Sequence, residues 1–250
     1  MRNIKLIFSY DGGLFFGSQA QTDKDTVQGS LENAIFKLTK ERTSVNLAGR
    51  TDRGVHALAQ VANFKTGSLV PGDKMAAAIN AGLGSGIKIL SSEEVPLSFD
   101  SRRDARSREY VYNIYNGTDF PVMYWGRALN IREDLDIKRM KDASKVLLGR
   151  HDFRMMCSTG SSQNHYIRNV KEIEILEKSA ENGSGRLISI RVKADSFLYK
   201  MVRFIVGILI EIGAKRKPIS FMKERMNGRS SKEKARVVAP CGLYLSEVKY

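Results

Sequence analysis

Cysteine, histidine and proline are scarce in this chain of 250 residues, at two, three and five. The cysteines, Cys157 and Cys241, stand far apart in no metal spacing, which fits reduced thiols in a cytosolic protein. The histidines, His56, His151 and His165, are scattered and share no ligand spacing with cysteine or carboxylate, so no metal is expected. No apolar run reaches the roughly 20 residues of a spanning helix. The richest, Phe197–Ile212, is interrupted by Lys200, Arg203 and Glu211 and reads as a buried helix. The opening M-R-N-I-K-L-I-F-S-Y-D lacks the apolar run and small-residue cleavage site of a signal peptide, so a cytoplasmic protein is expected. Gly82, Gly84 and Gly86 lack the last glycine of a dinucleotide loop, no phosphate-loop lysine follows them, and G-x-S-x-G is absent. There is no low-complexity tract and no short repeat.

Acidic residues are also few. Asp and Glu number 27 against 41 Lys and Arg, giving a net charge of +14 and a pI near 9.8. A surplus of this size points to a polyanion, with nucleic acid ahead of an anionic membrane surface. Residues 1–105 carry 13 basic against 11 acidic side chains, and the remainder 28 against 16. The polyanion surface is therefore expected mainly in the second half. A basic amphipathic helix with exposed aromatics, which a membrane-surface protein would need, is missing.

The order of elements suggests two halves, 1–105 and 106–250. Ile4–Tyr10 reads as a strand, and Thr26 caps a helix with Val27, Leu31, Ala34, Ile35 and Leu38 on one face. Leu58–Phe64 is a strand, a helix runs from Pro71 through Leu83, and Ile87–Val95 is a strand. This alternation is that of a ferredoxin-like half. In the second half Arg108–Tyr115 is a strand, and a helix over 134–148 buries Ile137, Met140, Ala143 and Leu147. His151–Gln163 reads as a loop. Val170–Leu176 and Leu187–Val192 form a hairpin through Asn182–Gly185. Leu198–Ile212 is a helix with Gly213 as left-handed cap, and Leu243–Val248 closes the chain. The expected fold is α+β, with two pseudo-duplicated ferredoxin-like (RRM-like) halves sharing a largely antiparallel sheet around a cleft.

Chemistry concentrates in Leu47–Ala57, L-A-G-R-T-D-R-G-V-H-A. Gly49 and Gly54 bracket Arg50, Thr51, Asp52 and Arg53, and apolar residues flank both ends. One carboxylate among arginines in a glycine-defined turn suits an ionised nucleophile or base. It equally suits a structural ion pair.

G-R-T-D-R-G-V-H-A closely resembles the G-R-T-D-x-G-V-H-A signature of the TruA family of tRNA pseudouridine synthases. Further blocks occur in the family's order. Tyr10-Asp11-Gly12 with Phe15, Gly17, Gln19 and Gln21 resembles Y-D-G-x-x-F-x-G-x-Q-x-Q. Thr26-Val27-Gln28 with Leu31-Glu32 is similar to T-V-Q-x-x-L-E. Ser107-Arg108-Glu109-Tyr110 with Tyr112 resembles S-R-x-Y-x-Y. Phe197-Leu198, Met201-Val202-Arg203 and Gly207 resemble F-L-x-x-M-V-R-x-x-x-G, and Ala239–Leu245 resembles A-P-x-x-G-L-x-L. Departures are Gly13 for Thr or Ser, Ser18 for an aromatic, Phe99-Asp100-Ser101-Arg102 for F-H-A-R, and the bulky Arg53.

The resemblance implies isomerisation of uridine to pseudouridine on the 3′ side of the anticodon arm of tRNA, positions 38–40. It implies Asp52 as nucleophile, Tyr110 as the pocket tyrosine and Arg203 as the cation that keeps Asp52 ionised. It further implies Arg50 filling the space a flipped base vacates and Leu243 as the apolar pocket floor. An arginine on the otherwise apolar 198–212 helix independently asks for a partner, which Glu211 or solvent could also supply. Arg50 could instead touch phosphate, and Tyr112 reads as an ordinary strand aromatic. His56 reads as a structural brace of the loop. Partners implied are tRNA and a second copy in a homodimer, with no membrane and no cofactor, since isomerisation needs neither redox partner nor group donor. The rival reading is an RNA-binding protein of the same fold that lacks catalysis.

Overall fold

The computed structural model describes residues 1–158, 165–181, 184–228 and 236–250. The chain divides into two compact units, Met1–Arg106 with Tyr244–Tyr250, and Ser107–Leu243. The boundary read from sequence kept 106–250 together. The final strand instead pairs in the first unit, Tyr244 and Leu245 lying parallel to His56 and Ala57.

In the first unit β1 (Arg2–Tyr10) lies antiparallel between β3 (His56–Thr66) and β4 (Ile87–Val95). The short β2 (Asn46–Leu47) pairs with β3 on its way, and β10 (Leu243–Lys249) joins the other edge of β3. Helix α1 (Val27–Thr39) starts where Thr26 accepts the Gly29 N–H at 3.2 Å, and it buries Val27, Leu31, Ala34 and Ile35. Two other residues of that block have structural tasks. Gln28 Oε1 accepts the Ala20 N–H, and Glu32 Oε1 accepts both the Gln28 amide and the Val45 N–H. Helix α2 (Met75–Asn80) is shorter than the expected helix through Leu83. Asn80 ends it by exchanging two 2.9 Å hydrogen bonds with the backbone of Ile89, which turns the chain towards β4.

The link out of this sheet is also tied down. Asn3 and Asn63 are buried and bonded to each other, Asn3 donates to the Pro96 and Phe99 carbonyls, and Asn63 accepts from the Ser101 N–H. Asp100 Oδ1 accepts the amides of Arg102 and Arg103 at 2.8 Å each. Burial pushes that carboxyl up, but these amides, Asn46 and the charge of Arg103 outweigh it, leaving it below the usual carboxylate range. The aspartate that departs from F-H-A-R is a turn cap.

The second unit holds β5 (Ser107–Asn116), β6 (Leu129–Ile131), β7 (Gly149–Asp152), β8 (Ile167–Ser179) and β9 (Arg186–Ala194). The order β5-β9-β8-β7 is antiparallel throughout, and β6 runs parallel to β5. Part of the expected 151–163 loop is therefore strand: residues 149–152 pair with 167–170, and a 3₁₀ turn follows at Arg154–Met156. Residues 159–163 of that loop, and Asn182 and Gly183 of the expected hairpin turn, lie outside the described residues.

Helix α3 (Ile137–Ser144) is capped by Asp136, whose side chain accepts the Arg139 N–H, and passes into a 3₁₀ turn at Lys145–Leu147. Ile137, Met140, Ala143 and Leu147 are buried, as their spacing requires. Helix α4 (Met201–Gly213) buries nearly every aliphatic residue, and α5 (Phe221–Met226) follows. Gly213 is not a left-handed cap. It is the last helical residue, and Lys215 has the positive φ of 60°. A Cβ on Gly213 would come within 2.8 Å of Met140 Sδ, so glycine is there to let α3 and α4 touch. Both units together make a mixed α+β chain whose strands pair mostly antiparallel. Among the described residues no helix is long and apolar enough to cross a membrane.

Candidate active site

In the first unit the loop carrying Asp52 is held from below by buried neutral polar groups. Thr51 Oγ1 lies 2.7 Å from the Tyr10 hydroxyl. The Thr51 N–H donates to Ser18 Oγ at 2.8 Å, and the Ser18 N–H returns to the Thr51 carbonyl at 3.1 Å. Gln60 Nε2 donates to the Gly49 carbonyl. A buried donor left unmade costs about 1–3 kcal/mol, so each link fixes the backbone strongly. Burial pushes the Tyr10 phenol up to about 12 despite its bonds to Thr51 and Gln60, so it stays a neutral bridge.

The turn itself runs from Asp52 to Val55, closed by the Val55 N–H on the Asp52 carbonyl at 3.1 Å. Its third residue, Gly54, has φ of 82°, which non-glycine residues resist. Gly12 lies against this turn: it accepts the Gly54 N–H, and a Cβ there would meet the Val55 carbonyl oxygen at 2.0 Å. His56, 2% exposed, stacks on Tyr244 at 4.7 Å, and its Nδ1 is 3.1 Å from both the Gly12 nitrogen and Asp11 Oδ1. That is the bracing role read from sequence. Asp52 is half-buried at the loop's rim, between exposed Arg50 and Arg53.

Tyr110, Arg203 and Leu243 belong to the second unit. Tyr110 on β5 is buried and packs edge to face with Phe197 at 5.0 Å. Arg203, in the first turn of α4, donates through Nε to the Val238 carbonyl at 2.8 Å. One turn on, Gly207 lets the segment 236–238 lie against the helix, since a Cβ would meet the Arg236 carbonyl oxygen at 2.1 Å. Gly242 does the same on β5, where a Cβ would meet the Asn113 carbonyl oxygen at 2.5 Å. Tyr112 is fully buried and donates to the Ala239 carbonyl at 2.7 Å, and burial raises its phenol well above the ordinary range. Strand β5, segment 236–242 and α4 thus form one packed set that presents Tyr110, Arg203 and the buried Leu243.

Sequence reasoning missed the Tyr10–Thr51–Ser18 links. Their signal was available in Ser18, a small hydroxyl residue standing where an aromatic is common, and in a polar Gln60 on a strand of apolar neighbours. Among the described residues no three His, Cys, Asp or Glu side chains stand close enough to hold a metal ion.

The structure thus offers one half-buried carboxylate on a glycine-built, hydrogen-bonded loop in a strongly basic α+β chain. The chain belongs to the tRNA pseudouridine synthase family, whose model matches residues 6–103 and 143–250. It is 39% identical to tRNA pseudouridine synthase A 2 of Clostridium perfringens over all of both chains. It is 42% identical to the protein of the same name from Clostridium tetani, covering 100% of this chain and 99% of that one. tRNA pseudouridine synthase A of Clostridium botulinum is 40% identical, again over the full length of both. The family is one of isomerases that convert uridine to pseudouridine.

Proposed function

We propose that this chain isomerises uridine to pseudouridine on the 3′ side of the anticodon arm of tRNA, at positions 38–40. The observation that carries the reading is the Asp52 loop, a family signature in which Thr51, Gly54 and His56 hold the turn that carries one carboxylate. In the reaction the N1–C1′ glycosidic bond breaks, the base rotates, C5 bonds to C1′, the C5 proton leaves and N1 takes up a proton. Substrate and product are isomers, so the balance needs no cofactor.

Asp52 is assigned as nucleophile, on the base or on the ribose, and Arg203 as the cation that favours its ionised form. Removing the base from the stack costs a few kcal/mol, and stacking on Tyr110 returns about 1–3 kcal/mol. Arg50 fills the vacated space and Leu243 floors the pocket. The two ferredoxin-like halves around one cleft, the homodimer and the cytoplasmic location belong to the same proposal and rest on the resemblance.

The test is tritium release from C5-labelled uridine in tRNA under single-turnover conditions. Asp52→Asn should slow release at least about a thousandfold, about 4 kcal/mol of barrier, while tRNA binding stays within about threefold. A mutant within tenfold of wild type overturns Asp52 as nucleophile. Wild-type protein that binds tRNA and releases no tritium favours the non-catalytic RNA-binding reading. Mapping pseudouridine in the treated tRNA checks the position.

A further inference from the structure

The turn that presents Asp52 also presents Arg53, and the structure gives this bulky residue a definite seat. Its guanidinium carbon lies 4.3 Å from the centroid of the Phe16 ring, with Lys24 Nζ 5.5 Å from the same ring. Phe16 is 41% exposed although its backbone is fixed on both sides. Its N–H donates to the Asp25 carbonyl at 2.8 Å and its carbonyl accepts Gln21 Nε2 at 2.8 Å. The next residue, Gly17 (φ 98°), lies so close that a Cβ would be 3.1 Å from the Thr51 carbonyl and 3.5 Å from the Arg53 nitrogen. Ring and catalytic loop are therefore one assembly.

A guanidinium stacked on an aromatic face keeps its in-plane N–H donors pointing outward, the geometry that grips a phosphate with two bonds. Among the described residues neither Arg53 nor Lys24 makes an ion pair, so two cations share one fixed ring with no protein anion between them. Arg53 is the residue next to Asp52 in the chain.

We infer that Arg53, stacked on Phe16 and aided by Lys24, binds an RNA backbone phosphate beside the nucleotide that Asp52 attacks. The inference rests on the RNA-modifying reading of the same loop. Phe16 supplies the seat and is not itself a base-stacking platform, because Arg53 occupies it.

The experiment measures tRNA affinity against salt for wild type, Arg53→Ala, Arg53→Lys, Phe16→Leu and Lys24→Ala. Arg53→Ala should weaken binding about five- to tenfold at low salt and reduce the slope of log affinity against log salt by about 1. Arg53→Lys should restore the slope but only part of the affinity. Phe16→Leu should keep the slope and lose about two- to fivefold in affinity. Replacing single phosphates near the target uridine by neutral methylphosphonates should reveal one position that weakens wild type and leaves Arg53→Ala unaffected. Unchanged affinity and slope in Arg53→Ala, with wild type binding and modifying tRNA, overturns this inference alone. Phe16→Leu losing more than Arg53→Ala overturns it in favour of base stacking on Phe16. Wild type that neither binds nor modifies tRNA overturns the functional reading and this inference together.

Discussion

The two units hold their candidate site residues by opposite means. In the first, Asp52 sits on a loop that side-chain hydrogen bonds hold beside the backbone ones: Ser18 accepts the Thr51 N–H, Tyr10 meets the Thr51 hydroxyl and Gln60 donates to the Gly49 carbonyl. In the second, Arg203 sits in the first turn of a helix, and close packing at Gly207, Gly213 and Gly242 fixes the elements around it. A loop gains its geometry from hydrogen bonds, a helix from what is allowed to touch it. Damage to the first should therefore appear mainly in turnover, and damage to the second mainly in stability.

The strongest test of that contrast is Gly207→Ala. The added carbon would meet a backbone carbonyl oxygen at 2.1 Å, and only movement of segment 236–238 can relieve it. A loss of about 3 kcal/mol is expected by denaturant unfolding, at the upper end of ordinary overpacking. A loss below about 1 kcal/mol would show that the segment yields easily.

Tyr10→Phe sharpens the other side. The Tyr10 phenol is raised from its ordinary 10 to about 12 in the fold. The stability this brings is complete below about pH 10 and is lost as pH rises towards 12, up to about 2–3 kcal/mol. The variant should lose roughly 1 kcal/mol at neutral pH yet fall less steeply than wild type between pH 10 and 12. Parallel curves would mean that Tyr10 does not govern the alkaline limb.

Ser18→Ala leaves the Thr51 N–H without its acceptor, at about 1–2 kcal/mol. Turnover should drop at least about tenfold, out of proportion to that loss, because the carboxylate next along the chain is no longer fixed. Full activity at reduced stability would erase the distinction between the units.

The smallest effect is expected at Asp100. Its carboxyl is held below the usual range, so its contribution is present above about pH 4 and is lost as pH falls further. Asp100→Asn keeps an acceptor for the Arg102 and Arg103 amides and should flatten the acid limb by under about 1 kcal/mol. Urea midpoints from pH 6 to pH 3 would read it.

Much of the fold was legible in the chain because the signals are local. The Thr26 cap, the α1 and α3 faces and the alternation of β5 follow from spacing alone. The misread places are those where a distant group decides. Helix α2 stops at Asn80 because Ile89 offers it backbone partners, residues 149–152 become strand because 167–170 lie beside them, and Gly213 serves contact with Met140 rather than a cap.

The candidate site divides in the same way. Sequence singled out Asp52 as the candidate carboxylate, since it lies between two arginines inside a signature whose glycines set the turn. It also carried the charge asymmetry and the family. Tertiary structure decided that Ser18 and Tyr10 hold Thr51, that Asp100 is a cap, and that Arg53 rests on Phe16. The reason is physical: turn conformation and charge are properties of neighbours in the chain, whereas a hydrogen bond or a stacked ring joins residues whose separation along the chain says nothing about their distance in space.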